Sequence, residues 1–266
     1  MGRHYIRAEL DEGKRLAEDL KVMRFSLDRG TACRAGQYFM LWLPGRGEIP
    51  LSPSVCSGRS IEFVVESVGS TSSALLSMGP KDRCFIRGPF GRPFSLDRDG
   101  PFLLVGGGTG AAPLLMATKQ LRDLTKEVDV LMGARDATRL CYIEEFSGMA
   151  SVATFATEDG SFGRHGIVID YLEEMILGGR VRALLTAGPE RMMAKAIGIS
   201  KKLGVYSEAS LVRIIKCAGG LCGSCALDPG GQLVCKEGPV LPGSELLESD
   251  FGSKMRDATG RRVDAG

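Results

Sequence analysis

Histidine is scarce in this chain: there are two in 266 residues, His4 and His165. So isolated a pair supports no histidine-based catalytic dyad, and each reads as a surface or satisfied side chain. An excess of charge of one sign is also missing. With 34 basic and 32 acidic residues the formal charge is +2, which gives no electrostatic case for nucleic acid or an anionic membrane as partner. Long apolar runs are absent too. The longest apolar stretch, 102–117, is too short and too glycine-rich to span a bilayer. The opening MGRHYIRAEL lacks the apolar region of a signal peptide. These absences predict a cytoplasmic chain. No internal repeat and no low-complexity tract appears.

What is present is a globular composition, 44% hydrophobic and 25% charged, with enough apolar residues for a real core. Glycine stands out. There are 36, roughly double an average share of about 7%, which suits tight turns or backbone that approaches a ligand closely. Eight cysteines in a reducing compartment do not make a disulfide framework. Cys33, Cys56, Cys84 and Cys141 are scattered and read as plain structural thiols. The other four crowd into positions 217–235.

The first hundred residues carry short runs, VMRFSL (22–27), QYFMLWL (37–43), IEFVVESV (61–68) and CFIRG (84–88), bounded by Gly, Pro and Ser. They predict an antiparallel β-barrel or sandwich over 1–99. From Pro101 the pattern changes. Strands are expected at 102–106, 128–134, 152–157, 183–188 and 208–212, and helices at 112–124, 143–149, 167–177 and 191–203. That alternation predicts a doubly wound α/β domain with a parallel sheet over 100–213. Residues 214–266 are expected to form a small third module. Its charged tail SKMRDATGRR (253–262) reads as a solvated end.

The cysteine module spells Cys217-AGGL-Cys222-GS-Cys225-ALDPGGQLV-Cys235. C-x4-C-x2-C…C is the plant-type [2Fe–2S] spacing. A loop around such a cluster must bend sharply and aim amide N–H groups at sulfur, and Gly219, Gly220 and Gly223 permit that backbone. The alternative is structural zinc, which also accepts four thiolates. Zinc ribbons, however, pair two C-x2-C knuckles, and here only one exists. The metal ligands are therefore expected to be Cys217, Cys222, Cys225 and Cys235.

GGGTGAAP (106–113) follows an expected strand and opens an expected helix. As a GxGxxG template it is loose, but a glycine turn at the carboxyl end of the first parallel strand lets a helix N-terminus receive a pyrophosphate. The turn TAGPERMM (186–193) closes a later strand of the same sheet, so both are expected to face one crevice. Gly106, Gly107, Gly108, Thr109, Gly110, Gly188, Pro189 and Glu190 are the expected dinucleotide contacts. Without a ligand, the same glycines would simply pack strand against helix.

The order of barrel, nucleotide-type sheet and cysteine loop resembles ferredoxin–NAD(P)+ reductase-like proteins with a C-terminal cluster. More closely, it resembles the electron-transfer subunits of dihydroorotate dehydrogenase B, the PyrK family. The residues that carry this are PLS (50–52), VGST (68–71), GPFG (88–91), GGGTGAAP (106–113), GPERMM (188–193), CAGGLCGSC (217–225) and VCKEGPV (234–240). The resemblance implies FAD in the barrel, held along Pro50, Leu51 and Ser52, with Val64, Val65, Glu66, Ser70 and Thr71 as further contacts. On residue pattern alone, Val64 and Val65 are strand core. The family's arginine is replaced by Ile49, with Arg46 and Arg59 as possible sources of the lost charge, and the cysteine usual before Gly-Pro-Glu is replaced by Ala187.

The resemblance further implies NAD+ as co-substrate and a catalytic FMN subunit as partner, in a hetero-oligomer of two plus two subunits. Electrons would pass from that FMN through [2Fe–2S] and FAD to NAD+. Two alternatives stand beside this. One is the flavin subunit of an NAD(P)H–ferredoxin transhydrogenase or sulfide dehydrogenase. The other is a zinc-stabilised, non-catalytic binding module.

Overall fold

The computed structural model describes residues 5–265, and His4 lies outside them. The N-terminal half is a single antiparallel sheet of seven strands. These are β1 (Ile6–Ala17), β2 (Leu20–Leu27), β3 (Tyr38–Leu43), β4 (Gly47–Leu51), β5 (Pro53–Ser57), β6 (Ser60–Glu66) and β7 (Arg83–Phe90), with a short helix α1 (Ser70–Leu76) between the last two. Their spatial order is β4-β3-β7-β1-β2-β6-β5. The two edge strands, β4 and β5, are joined through Ser52 alone. A sheet whose opposite edges are one residue apart in the chain has to curl on itself, and the result is the expected barrel. Phe25, Phe39, Leu41, Ile61, Phe63, Val65 and Ile86 alternate inward along their strands and fill it.

The second half alternates strand and helix: β8 (Phe102–Gly107), α2 (Ala111–Asp123), β9 (Val128–Ala134), α3 (Ile143–Met149), β10 (Ala153–Thr157), β11 (Arg164–His165), α4 (Val168–Gly178), β12 (Ala183–Ala187), α5 (Glu190–Lys202) and β13 (Tyr206–Ser210). The sheet order is β11-β10-β9-β8-β12-β13, all parallel. β8 is buried on both faces. Phe102 and Leu104 pack under α2 and α3, while Leu103 and Val105 pack under α4 and α5. That is why its sequence is a continuous apolar run and not an alternating one.

The C-terminal segment adds a two-residue hairpin, β14 (Ala226–Leu227) with β15 (Gln232–Leu233), then α6 (Val234–Glu237), β16 (Val240–Pro242) and α7 (Gly243–Leu246), and a last hairpin, β17 (Lys254–Arg256) with β18 (Arg262–Asp264). β16 pairs antiparallel with β13, so the cysteine segment is stitched onto the second sheet. The tail departs from expectation. Where a solvated end was expected, β17 and β18 dock back on the chain: Arg256 Nη2 donates to both carboxylate oxygens of Asp228, at 2.8 and 3.0 Å, and Lys216 Nζ donates to the Ala258 carbonyl at 2.7 Å. Among the described residues no helix is long and apolar enough to cross a membrane.

The cysteines outside the module divide differently from the expected scatter. Cys84 and Cys141 are buried core thiols. Cys33 and Cys56 lie side by side across the chain, and the Cys33 thiol also meets Met116 Sδ at 3.8 Å. The Thr31 N–H bonded to the Gly58 carbonyl at 2.8 Å holds their two segments together.

Candidate functional site

The strand order places β8 and β12 side by side at the point where the chain reverses direction across the sheet, with β9 and β10 to one side and β13 to the other. Ligand crevices in such sheets open beyond the carboxyl ends of the strands there. Both glycine turns lie at that spot. Gly106 and Gly107 end β8, Gly108, Thr109 and Gly110 form a 3-10 turn, and α2 follows at once. Ala187 ends β12 in register with Gly106, and Gly188 and Pro189 lead into α5. The turns touch: a Cβ on Gly110 would collide with the carbonyl of Ala187, and one on Gly188 would lie 2.8 Å from the Gly107 carbonyl. Gly110→Ala should therefore force the turns apart. It is expected to cost ~1–3 kcal/mol and weaken NAD+ binding more than tenfold. Isothermal titration beside a thermal melt checks both, and an unchanged affinity would count against the crevice.

Glu190 behaves unlike a free nucleotide contact. Its buried carboxylate accepts from Arg213 Nη2 at 2.9 Å and from the Gly252 N–H at 2.8 Å. Burial pushes its pKa up, opposed by the Gly252 amide and the Arg213 cation. The side chain thus ties the start of α5 to the C-terminal segment, and the turn offers main-chain groups.

The expected flavin residues gather at the seam of the barrel. Pro50 and Leu51 end β4 and Ser52 links it to β5. Ser70 and Thr71 open α1, and the Thr71 hydroxyl donates to the Arg46 carbonyl at 2.7 Å. That bond places Arg46 beside this segment, whereas Arg59 sits on the β5–β6 turn, where its carbonyl accepts from the Leu27 N–H at 2.8 Å. Ile49 packs its side chain against the barrel core. Val65 points into the barrel core, and Val64 points to the core shared with α2. Glu66 accepts from Arg139 Nη1 at 3.3 Å, and the same guanidinium reaches Asp19 at 2.6 Å. One arginine from the second half thus clamps two carboxylates of the barrel.

The cysteine loop runs 217–235 with Cys222 exposed, Cys217 half-buried and Cys225 and Cys235 buried. Among the described residues no three His, Cys, Asp or Glu side chains converge around one point as a single metal ion requires. The thiols instead lie as two neighbouring pairs, Cys217 beside Cys222 and Cys225 beside Cys235. Four cysteines around two irons suit a [2Fe–2S] cluster, whereas tetrahedral zinc needs all four about one centre. Amides serve the sulfurs as expected: the N–H groups of Gly219 and Leu221 donate to Cys217 Sγ at 3.3 and 3.4 Å, and the Cys235 N–H donates to Cys225 Sγ at 3.4 Å. The Gly219 amide leads in drawing the Cys217 pKa down to about 6, while burial pushes Cys235 up to about 12. The loop bends at Gly220 and Gly223, both with positive φ, and at Ala218 (φ 52°) where Gly219 was expected. The donor set fits the cluster.

Two motifs far apart in sequence meet at the foot of this loop. A Cβ on Gly91, in GPFG, would strike Pro239 and the Gly238 carbonyl, in VCKEGPV, and the Arg92 N–H donates to the Gly238 carbonyl at 2.6 Å.

Comparison with known proteins agrees with this arrangement. Residues 213–247 match the iron–sulfur cluster binding domain of dihydroorotate dehydrogenase B, and 104–197 match an oxidoreductase NAD-binding domain. A probable dihydroorotate dehydrogenase B (NAD(+)) electron transfer subunit from Methanopyrus kandleri is 35% identical, over 96% of this chain and 97% of its own. One from Thermoplasma volcanium is 36% identical over 97% and 98%. The chain belongs to the family of dihydroorotate dehydrogenase B electron-transfer subunits. Among solved structures, an NADH-dependent reduced ferredoxin–NADP oxidoreductase superposes with a TM-score of 0.79 at 26% identity, covering 91% of each chain. A flavohemoglobin from Malassezia yamatoensis with bound FAD and heme shares the fold, with a TM-score of 0.61 at 19% identity over 76% of this chain and 57% of that one.

As a member of this oxidoreductase family the chain combines an antiparallel barrel, a parallel-rich α/β sheet and a C-terminal iron–sulfur segment. Sequence reasoning missed Tyr38, Glu48 and Arg87. These barrel residues touch one another or the cysteine loop through the fold, and no local pattern marks them.

Proposed function

We propose that this chain is the electron-transfer subunit of an NAD+-dependent dihydroorotate dehydrogenase in pyrimidine biosynthesis. In this reading electrons from the FMN of a separate catalytic subunit reach NAD+ by way of a [2Fe–2S] cluster and FAD. The observation that carries it is the cysteine loop. Its two thiol pairs, served by three amides, lie within the 213–247 match to the dihydroorotate dehydrogenase B cluster domain. When bound, the cluster exchanges single electrons, NAD+ takes a two-electron hydride, and FAD exchanges with both.

The chain's own residues bind and orient. Cys217, Cys222, Cys225 and Cys235 hold the cluster. Pro50, Leu51, Ser52, Val64, Val65, Glu66, Ser70 and Thr71 line the flavin. Gly106, Gly107, Gly108, Thr109, Gly110, Gly188 and Pro189 let a pyrophosphate approach the starts of α2 and α5, while Glu190 anchors the second turn from behind. Ala187, at the end of β12, leaves the hydride site without a thiol side chain. The catalytic FMN subunit is the partner, in a hetero-oligomer of two plus two. Eight cysteines without a disulfide suit the cytoplasm.

The test is co-expression with a dihydroorotate-oxidising flavoprotein subunit. The purified complex should show an iron–sulfur spectrum, contain FAD and oxidise dihydroorotate with NAD+ as acceptor. Oxidation that proceeds only with artificial dyes would sink the reading. A second reading, the flavin subunit of an NAD(P)H–ferredoxin transhydrogenase, draws support from the ferredoxin–NADP oxidoreductase superposition. NADH-dependent ferredoxin reduction without dihydroorotate coupling would favour it.

A further inference from the structure

Two barrel side chains reach the cysteine loop, and each does so at the main-chain carbonyl of a cysteine. The Tyr38 hydroxyl donates to the Cys235 carbonyl at 3.2 Å, and Arg87 Nη1 donates to the Cys217 carbonyl at 3.4 Å. One member of each thiol pair is therefore held from the barrel. The remaining face of the Arg87 guanidinium is committed to Glu48, with Nε and Nη2 each 2.6 Å from a carboxylate oxygen. Both side chains are largely shielded, 15% and 18% exposed. The fork also lies 5.3 Å from the centre of the Phe90 ring.

The strand register says where this pair sits. Met40 on β3 stands opposite Pro50 on β4 and opposite Arg87 on β7, so Pro50, Met40 and Arg87 form one rung. Opposed residues share a face, as do residues two apart on one strand. Glu48 is therefore on the face of Pro50. Met40 is buried in the same cluster as Cys225 and Cys235, so this face is the floor under the cysteine loop. The pair lies on the strand that continues into Pro50, Leu51 and Ser52.

We propose that the Arg87–Glu48 pair is a positioning and electrostatic element that sets the reduction potential of the cluster held by Cys217, Cys222, Cys225 and Cys235, and locks the cluster loop to the flavin strand. The proposal rests on the cluster reading of those cysteines. Reduction adds one negative charge to the cluster, so a nearby cation favours it and a nearby anion opposes it. In a poorly solvated setting such terms are large compared with bulk water. The intact pair is neutral overall. Removing either partner uncovers the other, and the two removals act with opposite sign. Loosened packing alone has no such sign.

The experiment is an EPR-monitored redox titration of the full chain with its cluster and FAD reconstituted under argon. Arg87→Gln is expected to lower the midpoint and Glu48→Gln to raise it. Each should change the reduced-to-oxidised ratio at the wild-type midpoint roughly tenfold, ~59 mV for one electron. The double variant should return close to wild type, and Arg87→Lys should keep most of the potential. Tyr38→Phe, which removes a loop contact without changing charge, is expected to move it far less. Shifts of one sign in both single variants, or none, would overturn the proposal and leave the pair a packing feature. If Arg87→Gln fails to load a cluster, the rise in Glu48→Gln decides alone. A wild-type protein that takes up iron and sulfide but shows no reducible cluster signal would overturn the underlying reading instead.

Discussion

Serine at Cys222 should leave a folded protein that has lost the visible absorption of an iron–sulfur cluster beyond its flavin bands. Cys222 is the exposed member of the four thiols, so its sulfur takes little part in packing. Cys225 and Cys235 are 2% and 3% exposed within an apolar cluster, and their loss would damage fold and ligation together. Partners that merely orient a metal ligand are worth 10–100-fold in affinity, and deleting a ligand exceeds that. NAD+-linked dihydroorotate oxidation by the assembled complex should fall more than about 100-fold. NADH-dependent reduction of a dye through FAD should persist, because none of the residues assigned to flavin or NAD+ is touched. Spectra, EPR and the two assays on one preparation separate these effects. A Cys222→Ser protein with undiminished coupling would contradict the cluster route.

Arg213→Ala should be the most destabilising single change outside the hydrophobic cores. The guanidinium and the Glu190 carboxylate are 2% and 8% exposed and 2.9 Å apart. The same arginine reaches the Lys254 carbonyl at 3.1 Å. Removing one partner of a buried pair strands the other and costs ~3–5 kcal/mol, or roughly 6–20 °C in Tm for a chain of this size. The deficit should depend on pH. Glu190 already has a raised pKa from burial, and losing the cation raises it further. A carboxyl raised above its unfolded value binds more protons in the native state, so stability falls as pH climbs from the unfolded pKa to the folded one. The variant should therefore lose least near pH 4 and most at pH 8. A deficit that shrinks with rising pH would show that Glu190 is not left ionised and buried. Replacing both residues by methionine should recover most of the stability.

The parts of the fold that could be read from sequence were those with strong local periodicity. The helix at 143–149 and the strand at 128–134 fall where they were expected, and the other expected strands and helices of the second sheet lie within about two residues, whereas the short strands β11 and β16 were not anticipated. β1 was not legible: only Ile6, Ala8 and Leu10 are buried in it, and its second half is exposed and charged. β4 and β5 were hidden by Pro50 and Pro53. Proline argues against a central strand, and both strands turn out to be edges, where it is tolerated. α1 was hidden because STSSALL is poor in strong helix formers. In the candidate site, spacing marked the cysteines and glycines. The roles of Tyr38, Glu48, Arg87 and Arg213 were invisible, since each acts through a contact between distant segments.

The seam beside Ser52 has one more consequence. β4 and β5 lie at opposite ends of the barrel's strand order, so each presents an outer row of amides and carbonyls to no neighbouring strand. A fully closed ladder would have consumed those groups. Here a proline stands in each edge, Pro50 in β4 and Pro53 in β5, and a residue with no N–H to donate makes both edges poor templates for a strand of another chain.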